Sequence, residues 1–193
     1  MKSKILYLVI ITIFMVLACS SQKKFNGTIY DKPAKDFCLT GWEEGKERKV
    51  CLKDFKGKVV LMFFGYTHCP DVCPTALGVL AKTVGKLEKE RDRVVVLFVS
   101  VDPERDSPEL SQKYLSHFGQ NFIGVTGSKE ELDRITKDYM AFYRKVKGNS
   151  KSGYLVDHTA YIYLIDPEGT LKLIYSSSKQ KPDLIADDIK RIL

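Results

Sequence analysis

The sequence predicts an α/β fold in which helices flank a mixed β-sheet, and three features of its hydrophobic pattern support this class. Residues 58–65 and 93–102 contain continuous apolar runs, which are typical of strands buried on both faces of a sheet. Between them, residues 74–90 carry apolar side chains at spacings of three and four, as an amphipathic helix does. Two pairs of short segments flank turn-forming residues and predict an N-terminal and a C-terminal hairpin. A parallel βαβ unit joined to antiparallel hairpins makes the expected sheet mixed.

Length and composition indicate one globular domain. The chain has 193 residues, 44% of them hydrophobic, which is enough for a single sizeable core. The formal net charge of +7 comes largely from lysines scattered along the chain, without a concentrated basic stripe or an aromatic platform beside it. We therefore expect no nucleic-acid partner. We also expect no polytopic membrane protein, because only the first residues approach the length of a spanning helix.

The N-terminus resembles a bacterial lipoprotein signal. A short basic segment opens the chain, residues 5–17 form an apolar run, and Ala18 then stands before Cys19. In such signals a peptidase cuts before the cysteine, whose sulfur carries a diacylglycerol. We therefore expect residues 1–18 to be a lipoprotein signal peptide, with an ordinary signal peptide or an uncleaved anchor as the alternative.

The rest of the chain divides into a tether and a domain. Residues 19–36 are polar and lack a sustained apolar period, so we expect a tether there, and residues 37–193 form the domain. The expected protein is exported and anchored to a lipid membrane through Cys19. Its domain then faces the periplasm or the cell exterior.

The N-terminal hairpin is predicted from two matching cysteine segments. Residues 37–40 and 49–52 fit short strands on either side of a polar, glycine-containing segment, with Cys38 and Cys51 in equivalent places. If these strands pair, the two sulfurs can meet. We hypothesise a structural disulfide between Cys38 and Cys51, with two separate buried thiols as the alternative.

Caps define the elements in the middle of the chain. Ser107, which stands before a proline, predicts the start of a helix, and residues 122–125 fit a short strand. Ser128 begins a capping-box pattern. The helix that follows is expected to carry Tyr139 and to extend toward Phe142.

Turn signals define the C-terminal third. Residues 145–153 fit a polar loop, and residues 166–169 form a strong turn signal between apolar segments 159–165 and 170–175. These two segments predict the C-terminal hairpin. Residues 182–193 carry isoleucines along one face and predict a closing helix.

Cys69 and Cys73 lie where the strand of residues 58–65 becomes the helix of residues 74–90. A cysteine motif at the C-terminal end of a central strand, in a mixed sheet flanked by helices, predicts a thioredoxin-like fold. The helix N-terminus stabilises thiolates. The pair is therefore suited to closing a redox disulfide or to binding a soft metal.

The spacing of the pair favours a metal, and the donor set favours copper. The C-x-x-x-C motif has one residue more than the usual C-x-x-C redox motif, and the longer loop leaves room for an ion between the sulfurs. Copper(I) prefers thiolates and accepts two or three ligands, whereas structural zinc takes four. The sequence offers only three good donors.

The third donor is expected to be one of three histidines. His117 ends a predicted surface helix and fits a helix-terminal residue better than a ligand. His68 is adjacent to Cys69, and a neighbour in an extended segment points to the opposite side. His158 precedes a strand that can join the sheet beside residues 58–65. From the residues alone, a ligand role and a structural role both stay open for His158.

Three segments of the chain resemble the Sco/SenC family. They are residues 65–74 (GYTHCPDVCP), residues 99–106 (VSVDPERD) and residues 156–166 (VDHTAYIYLID). They stand in the family's order within a resemblance that runs from about residue 37 to the C-terminus. The resemblance implies a membrane-tethered, thioredoxin-like domain facing the periplasm or the mitochondrial intermembrane space. It also implies one copper ion, as Cu(I) or Cu(II), held by Cys69, Cys73 and His158.

The resemblance further implies a role in assembling a respiratory enzyme. The expected function is that of a metallochaperone that delivers copper to, or prepares, the binuclear copper site of cytochrome c oxidase. Its partners would be the oxidase subunit with that site or a copper-donor protein. Asp71 and Asp102 would tune the site or a docking surface, and a solvated-loop role is equally open for both. Cys38 and Cys51 depart from the family pattern and raise the possibility of a second redox pair.

Two other functions use the same cysteines without copper. In a periplasmic thiol–disulfide oxidoreductase, one of Cys69 and Cys73 attacks a partner disulfide and the other resolves it, so His158 would be dispensable. In a peroxidase, Thr67 and Pro70 would flank a peroxidatic Cys69. That reading has less support because peroxiredoxin-type sites place the threonine three residues before the cysteine, and Thr67 is two before.

Overall fold

The computed structural model describes residues 24–148 and 153–193. The predicted signal peptide and Cys19 lie outside this part of the chain. The described strands are β1 (Thr28–Pro33), β2 (Cys38–Glu43), β3 (Lys46–Cys51), β4 (Val59–Gly65), β5 (Val94–Ser100), β6 (Phe122–Thr126), β7 (Tyr143–Lys147), β8 (Tyr154–His158), β9 (Ile162–Ile165) and β10 (Thr170–Tyr175). Eight of them form one sheet in the order β1-β10-β9-β4-β5-β6-β2-β3, and β7 pairs with β8 in a separate ribbon.

Helices connect and cover these strands. The described α-helices are α1 (Val72–Gly85), α2 (Pro108–Leu115), α3 (Lys129–Asp138) and α4 (Pro182–Ile192), and short 3₁₀ helices span Leu52–Phe55, Glu88–Arg93 and Ser177–Lys179. In the described ranges, no helix has both the length and the apolar character needed to cross a membrane.

The centre of the sheet confirms the predicted βαβ unit. Every residue of β4 and β5 is buried, and the two strands are parallel with α1 between them in the chain. On its other side β4 pairs with β9 in the antiparallel direction, with Phe63 opposite Ile162. The sheet is therefore mixed, as expected, and the C-terminal ends of β4 and β5 meet at one edge.

The helix caps follow the sequence, whereas two helix lengths differ. The Ser107 hydroxyl accepts from the backbone N–H of Leu110, and Ser128 forms the predicted capping box. The helix expected over residues 74–90 begins two residues earlier and ends at Gly85. The expectation that α3 extends toward Phe142 is wrong, because Met140 adopts a left-handed conformation with φ 55° and ends the helix.

The N-terminal hairpin and its disulfide are both confirmed. β2 and β3 pair in a register that places Cys38 directly opposite Cys51, and their sulfurs are bonded. Glu44 and Gly45 form the two-residue turn with φ of 52° and 79°. Positive φ at both positions is what the common hairpin turn requires, and glycine supplies it without steric cost.

Part of the predicted tether belongs to the sheet. Residues 19–36 were expected to lack structure, but β1 lies within them and pairs antiparallel with β10, with Thr28 opposite Ile174. The backbone N–H groups of Asn26 and Gly27 also donate to the buried Asp188 carboxylate. An edge strand held by backbone hydrogen bonds needs no buried face, so it shows no apolar period in the sequence.

The predicted polar loop over residues 145–153 is wrong at residues 145–147, which belong to β7, whereas Gly148 and Gly153 lie outside the strands. Residues of β7 and β8 form an antiparallel ribbon, with Tyr143 opposite His158. Most side chains of this ribbon are at least partly exposed, so the continuous apolar run of a buried strand is absent. The predicted C-terminal hairpin is confirmed as β9 and β10.

Candidate metal centre

The loop between β4 and α1 carries both cysteines of the C-x-x-x-C motif. Cys69 lies in the loop and Cys73 in the first turn of α1, and their residues are 8% and 0% exposed. β4 ends at Gly65, where an added Cβ would lie 2.7 Å from the Phe98 ring and 3.0 Å from Cys73 Sγ. Close packing beneath Cys73 therefore requires glycine at the end of this strand.

The two cysteines and His158 form one cluster. Their sulfur and ring-nitrogen atoms all lie within 4.8 Å of one another, and in the described ranges no other His, Cys, Asp or Glu residues form such a group. Cys73 Sγ is 3.3 Å from His158 Nε2, and the Cys73 backbone N–H donates to Cys69 Sγ over 3.4 Å. The fold thus brings together residues that stand 85 positions apart in the chain.

The His158 ring is oriented with Nε2 toward the sulfurs. Its Nδ1 lies 3.2 Å from the carbonyl oxygen of Thr159, which can only accept a hydrogen bond. A proton on Nδ1 leaves a lone pair on Nε2, the form in which imidazole binds metals. The rings of Phe63 and Tyr66 contact the imidazole edge to face, at centroid distances of 6.0 and 5.8 Å.

The two thiols differ in their ionisation. A hydrogen bond from the Cys73 thiol holds the pKa of Cys69 well below its usual range, and hydrogen bonds from backbone N–H groups lower it further. The same hydrogen bond, together with burial, raises the pKa of Cys73. The metal-free cluster therefore holds a thiolate on Cys69 and a proton on Cys73, and binding a soft metal releases that proton.

A buried carboxylate holds the cysteine loop in place. Asp106 is 0% exposed and accepts hydrogen bonds from the Thr67 backbone N–H (2.8 Å), the Thr67 hydroxyl (2.6 Å) and the Ser100 hydroxyl (2.6 Å). The sequence alone indicates no separate role for Asp106. The available signal was its place in the loop after a buried strand, because the C-terminal ends of parallel strands meet at one edge.

A second buried carboxylate reaches the strand that carries His158. Asp102 is 0% exposed, lies 2.5 Å from Arg105 Nε and accepts from the Tyr154 hydroxyl at 2.7 Å. Arg105 also donates to the Tyr154 carbonyl at 3.0 Å and stacks 3.7 Å from its ring centroid. Asp102 is therefore no solvated loop residue, and its contacts connect it to the histidine strand.

The other candidate residues lie outside the cluster. His68 is exposed, with Nδ1 3.0 Å from the Thr67 hydroxyl and 3.4 Å from Asp106, and His117 is exposed at the end of α2. Asp71 is exposed beside the cluster. The Thr67 hydroxyl donates to Asp106, so it is engaged rather than available to assist a peroxidatic Cys69.

The cluster opens onto an apolar cleft of about 360 Å³. Its apolar lining residues include Tyr66, Pro70, Val72, Phe142, Leu155 and Ala160. Val72 and Phe142 are 46% and 57% exposed. A second cleft, of about 210 Å³, lies at the opposite edge of the sheet near Phe55 and Asp166, and its lining contains no cysteine or histidine. Cys69 and His158 line the first cleft, where a second protein can reach them, whereas Cys73 is fully buried.

Comparison with known proteins places the chain beside one family. The sequence model described as SCO1/SenC matches residues 33–193. The mitochondrial protein SCO2 homolog of Mus musculus is 38% identical over 158 residues, which is 81% of this chain and 60% of that protein. The chain spans about three fifths of the length of these curated relatives.

Solved structures match the fold closely. Apo Sco1 from Thermus thermophilus has a TM-score of 0.77 and 41% identity, covering 90% of this chain and 100% of that one. Bradyrhizobium japonicum ScoI with copper bound has a TM-score of 0.71 and 40% identity, covering 83% and 99%. These matches confirm the predicted thioredoxin-like α/β fold.

Two further solved structures of relatives are relevant to function and to membrane attachment. BsSco, a member of the Sco family of cytochrome c oxidase assembly proteins with a disulfide switch, has a TM-score of 0.66 and 27% identity, covering 86% and 96%. A SCO1/SenC family lipoprotein from Bacillus anthracis has a TM-score of 0.67 and 30% identity, covering 89% and 98%.

Proposed function

The chain belongs to the SCO1/SenC family, and we propose that it carries one copper ion to, or prepares, the binuclear copper site of a respiratory cytochrome c oxidase. The observation that carries the proposal is the cluster of Cys69, Cys73 and His158, with all three ligand atoms within 4.8 Å. Copper is the cargo here. The copper-bound ScoI relative and the oxidase-assembly role of BsSco support both the metal and the destination.

The donor set fits copper better than zinc. Two sulfurs and one imidazole nitrogen suit Cu(I), which is stable with three soft or borderline ligands. Structural zinc takes four protein ligands, and within residues 24–148 and 153–193 no fourth His, Cys, Asp or Glu joins the cluster. Full burial of Cys73 also shields its sulfur from oxidation by solvent-borne reagents.

The surroundings of the cluster favour handing copper to another protein. His158 is half-buried beside the apolar cleft, so a partner cysteine or histidine can approach from that side. Exposed Val72 and Phe142 provide apolar contact area at the rim. The partner is the oxidase subunit with the binuclear site, or a protein that donates copper to this chain.

The same thiols supply a second way to prepare the oxidase site, favoured by the ionisation of Cys69. The Cys69 thiolate attacks a disulfide of the partner and forms a mixed disulfide, and one partner thiol leaves. Cys73 then loses its proton and attacks Cys69, which releases the second partner thiol and leaves a Cys69–Cys73 disulfide. The partner gains two electrons, one proton from Cys73 and one proton from solvent, and this chain is oxidised to the disulfide.

The N-terminal pattern and one relative support a location at a membrane surface. We propose that residues 1–18 are removed and that Cys19 carries the lipid, which holds the domain at the outer face of a membrane. The family lipoprotein from Bacillus anthracis supports this assignment. Membrane fractionation tests it: the wild-type chain should sediment with membranes, and Cys19→Ser should not be lipidated.

An anaerobic Cu(I) titration against a competing chelator tests the copper site. The full chain in detergent is compared with His158→Ala and with His117→Ala, a matched control whose imidazole is exposed and remote from the cluster. We expect one Cu(I) per chain, an affinity at least about tenfold lower for His158→Ala, and no change for His117→Ala.

Weak binding that is indifferent to His158 would contradict the copper role. The thiol–disulfide reaction would then be the leading function, because it needs only Cys69 and Cys73. A disulfide-exchange assay with the same three proteins tests this second function. His158→Ala should then exchange disulfides at the wild-type rate, because His158 is dispensable for that reaction, and His117→Ala is the neutral control in both assays.

A further inference from the structure

The loop between β5 and α2, residues 101–107, contacts both segments that carry the ligands of the metal centre: the cysteine loop at Thr67 and the histidine strand at Tyr154. We propose that this β5–α2 loop is a bracket that sets the distance between the cysteine pair and His158, with one arm at Asp106 and the other at Asp102 and Arg105. The proposal rests on the proposed function, because it takes Cys69, Cys73 and His158 as the ligands.

The first arm holds the cysteine loop. Both oxygens of the Asp106 carboxylate are used: Oδ2 accepts from the Thr67 backbone N–H and from Ser100, and Oδ1 accepts from the Thr67 hydroxyl. A fully buried carboxylate is costly without such donors, and hydrogen bonds to a charged acceptor are the stronger kind. Thr67 stands two residues before Cys69, so this arm fixes where the Cys69 loop leaves the end of β4.

The second arm holds the histidine strand. The Tyr154 hydroxyl donates to Asp102, and Arg105 binds the Tyr154 carbonyl and stacks on its ring. Tyr154 is the first residue of β8 and His158 is the last. The Arg105 guanidinium also lies 5.7 Å from the Tyr66 ring, which in turn contacts the His158 imidazole.

The loop itself is closed by its own backbone. The Asp102 carbonyl accepts from the backbone N–H groups of Arg105 (3.1 Å) and Asp106 (2.9 Å), and the Asp102 N–H donates to the Ser100 hydroxyl (3.2 Å). The two arms are therefore joined by a compact turn anchored on buried β5.

The histidine strand needs such an anchor because it lies outside the main sheet. β8 pairs with β7 in the two-stranded ribbon, so the ladder of the eight-stranded sheet does not fix its position. The cysteines, in contrast, follow directly from β4 at the centre of that sheet. The chain connects the C-terminal end of β8 to β9 in the sheet, and the bracket adds a side-chain link at the N-terminal end of β8.

Single hydroxyl deletions test each arm without changing a charge. Thr67→Val removes one donor to Asp106, and Tyr154→Phe removes one donor to Asp102. The matched control is Tyr175→Phe, which removes a hydroxyl donor (2.9 Å) to Asp188, another carboxylate that is 0% exposed and is bonded to the N-terminal segment. Ser100→Ala serves as a second variant of the first arm if Thr67→Val does not fold.

Cu(I) affinity is measured for each variant of the full chain in detergent, alone and combined with His158→Ala. Loss of a supporting hydrogen bond around a metal site costs about tenfold or more in affinity. We expect Tyr154→Phe to lower Cu(I) affinity about tenfold when His158 is present and less than about twofold in the His158→Ala background. The reason is that the arm at Asp102 and Arg105 acts through His158. Thr67→Val should weaken binding about tenfold in both backgrounds, and Tyr175→Phe in neither.

Amide hydrogen exchange of the metal-free protein gives a readout that needs no copper. Tyr154→Phe should speed exchange in β8, and Thr67→Val should speed it at Thr67 and Cys69. Tyr175→Phe should leave both segments unchanged. The bracket would be overturned if Tyr154→Phe lowered Cu(I) affinity equally with and without His158, or if exchange increased evenly over the domain. Either result would mean that the variants only destabilise the whole domain.

Failure of the bracket differs from failure of the proposed function. If the wild-type chain binds Cu(I) tightly through His158 but the two arm variants behave like Tyr175→Phe, the bracket is wrong and the copper role stands. If the wild-type chain does not bind Cu(I), the copper role fails. The segment-specific exchange pattern then still decides whether the loop positions the two halves.

Discussion

The two cysteine pairs of this domain show how the backbone context decides what a thiol does. Cys38 and Cys51 face each other across β2 and β3, and they are joined in a disulfide. Cys69 and Cys73 lie four residues apart at a helix N-terminus and are free thiols. The first pair joins two strands whose register is already fixed by backbone hydrogen bonds. The second pair is held beside His158 with one sulfur ionised, which suits ligand exchange and redox chemistry.

The largest expected effect separates the pairs by metal affinity. Cys69→Ser removes the thiolate of the cluster and should lower Cu(I) affinity by more than about 100-fold, the upper end of the range for loss of a supporting hydrogen bond. Replacing both Cys38 and Cys51 with alanine should leave the affinity within about twofold, because neither is a member of the cluster. Chelator competition measures both. Equal losses of Cu(I) affinity in the two variants would show that the two cysteine pairs do not differ in metal binding.

In urea unfolding, loss of the Cys38–Cys51 pair should have a larger effect than Cys69→Ser. The Cys38–Cys51 bond closes a loop with a sequence separation of 13, and its loss should lower the free energy of unfolding by about 3 kcal/mol. Cys69→Ser in the metal-free protein should cost less, since no covalent link is lost. A double alanine variant of Cys38 and Cys51 as stable as the wild type would show that the disulfide adds nothing to the hairpin.

The ionisation of the free pair gives a test by pH. The pKa of Cys69 is held below its usual range, so its thiolate persists as the pH falls, whereas the raised pKa of Cys73 keeps that thiol protonated. Alkylation of Cys69 in the reduced, metal-free protein should keep a similar rate from about pH 8 to pH 6, where an ordinary thiol slows about a hundredfold. Mass spectrometry assigns the modified cysteine. First modification at Cys73, or a rate for Cys69 that falls like that of an ordinary thiol, would contradict this assignment.

The smallest expected effect concerns the support of the disulfide pair. The Asp54 carboxylate accepts from the Cys51 backbone N–H at 2.8 Å and caps the 3₁₀ helix that follows β3. Asp54→Ala should lower stability by about 1 kcal/mol and leave Cu(I) affinity unchanged, and Asp54→Asn should lose less because it keeps an acceptor. A change in copper affinity would show that the hairpin and the cluster are coupled after all.

Local pattern predicted the central elements well and the peripheral strands poorly. The apolar runs that became β4 and β5, and the caps at Ser107 and Ser128, are properties of short stretches of sequence. β1 and the β7–β8 ribbon were missed because backbone pairing and distant side chains hold them, and neither leaves an apolar period. Tyr154, for example, is anchored by Asp102, 52 residues earlier in the chain.

By itself, the sequence determined the chemistry available to this protein: two cysteines at a strand-to-helix junction, a short set of histidines, and a second cysteine pair in matching strand segments. Residue type and spacing within one turn are local, so they can be read directly. The family resemblance implied His158, and matching segments suggested the Cys38–Cys51 pair, but the residues alone left both open. The tertiary structure decided that His158, and neither His68 nor His117, meets the sulfurs, that Cys38 faces Cys51, and that Asp102 and Asp106 are buried. Those outcomes depend on strand register and on packing between segments far apart in the chain, which no local spacing fixes.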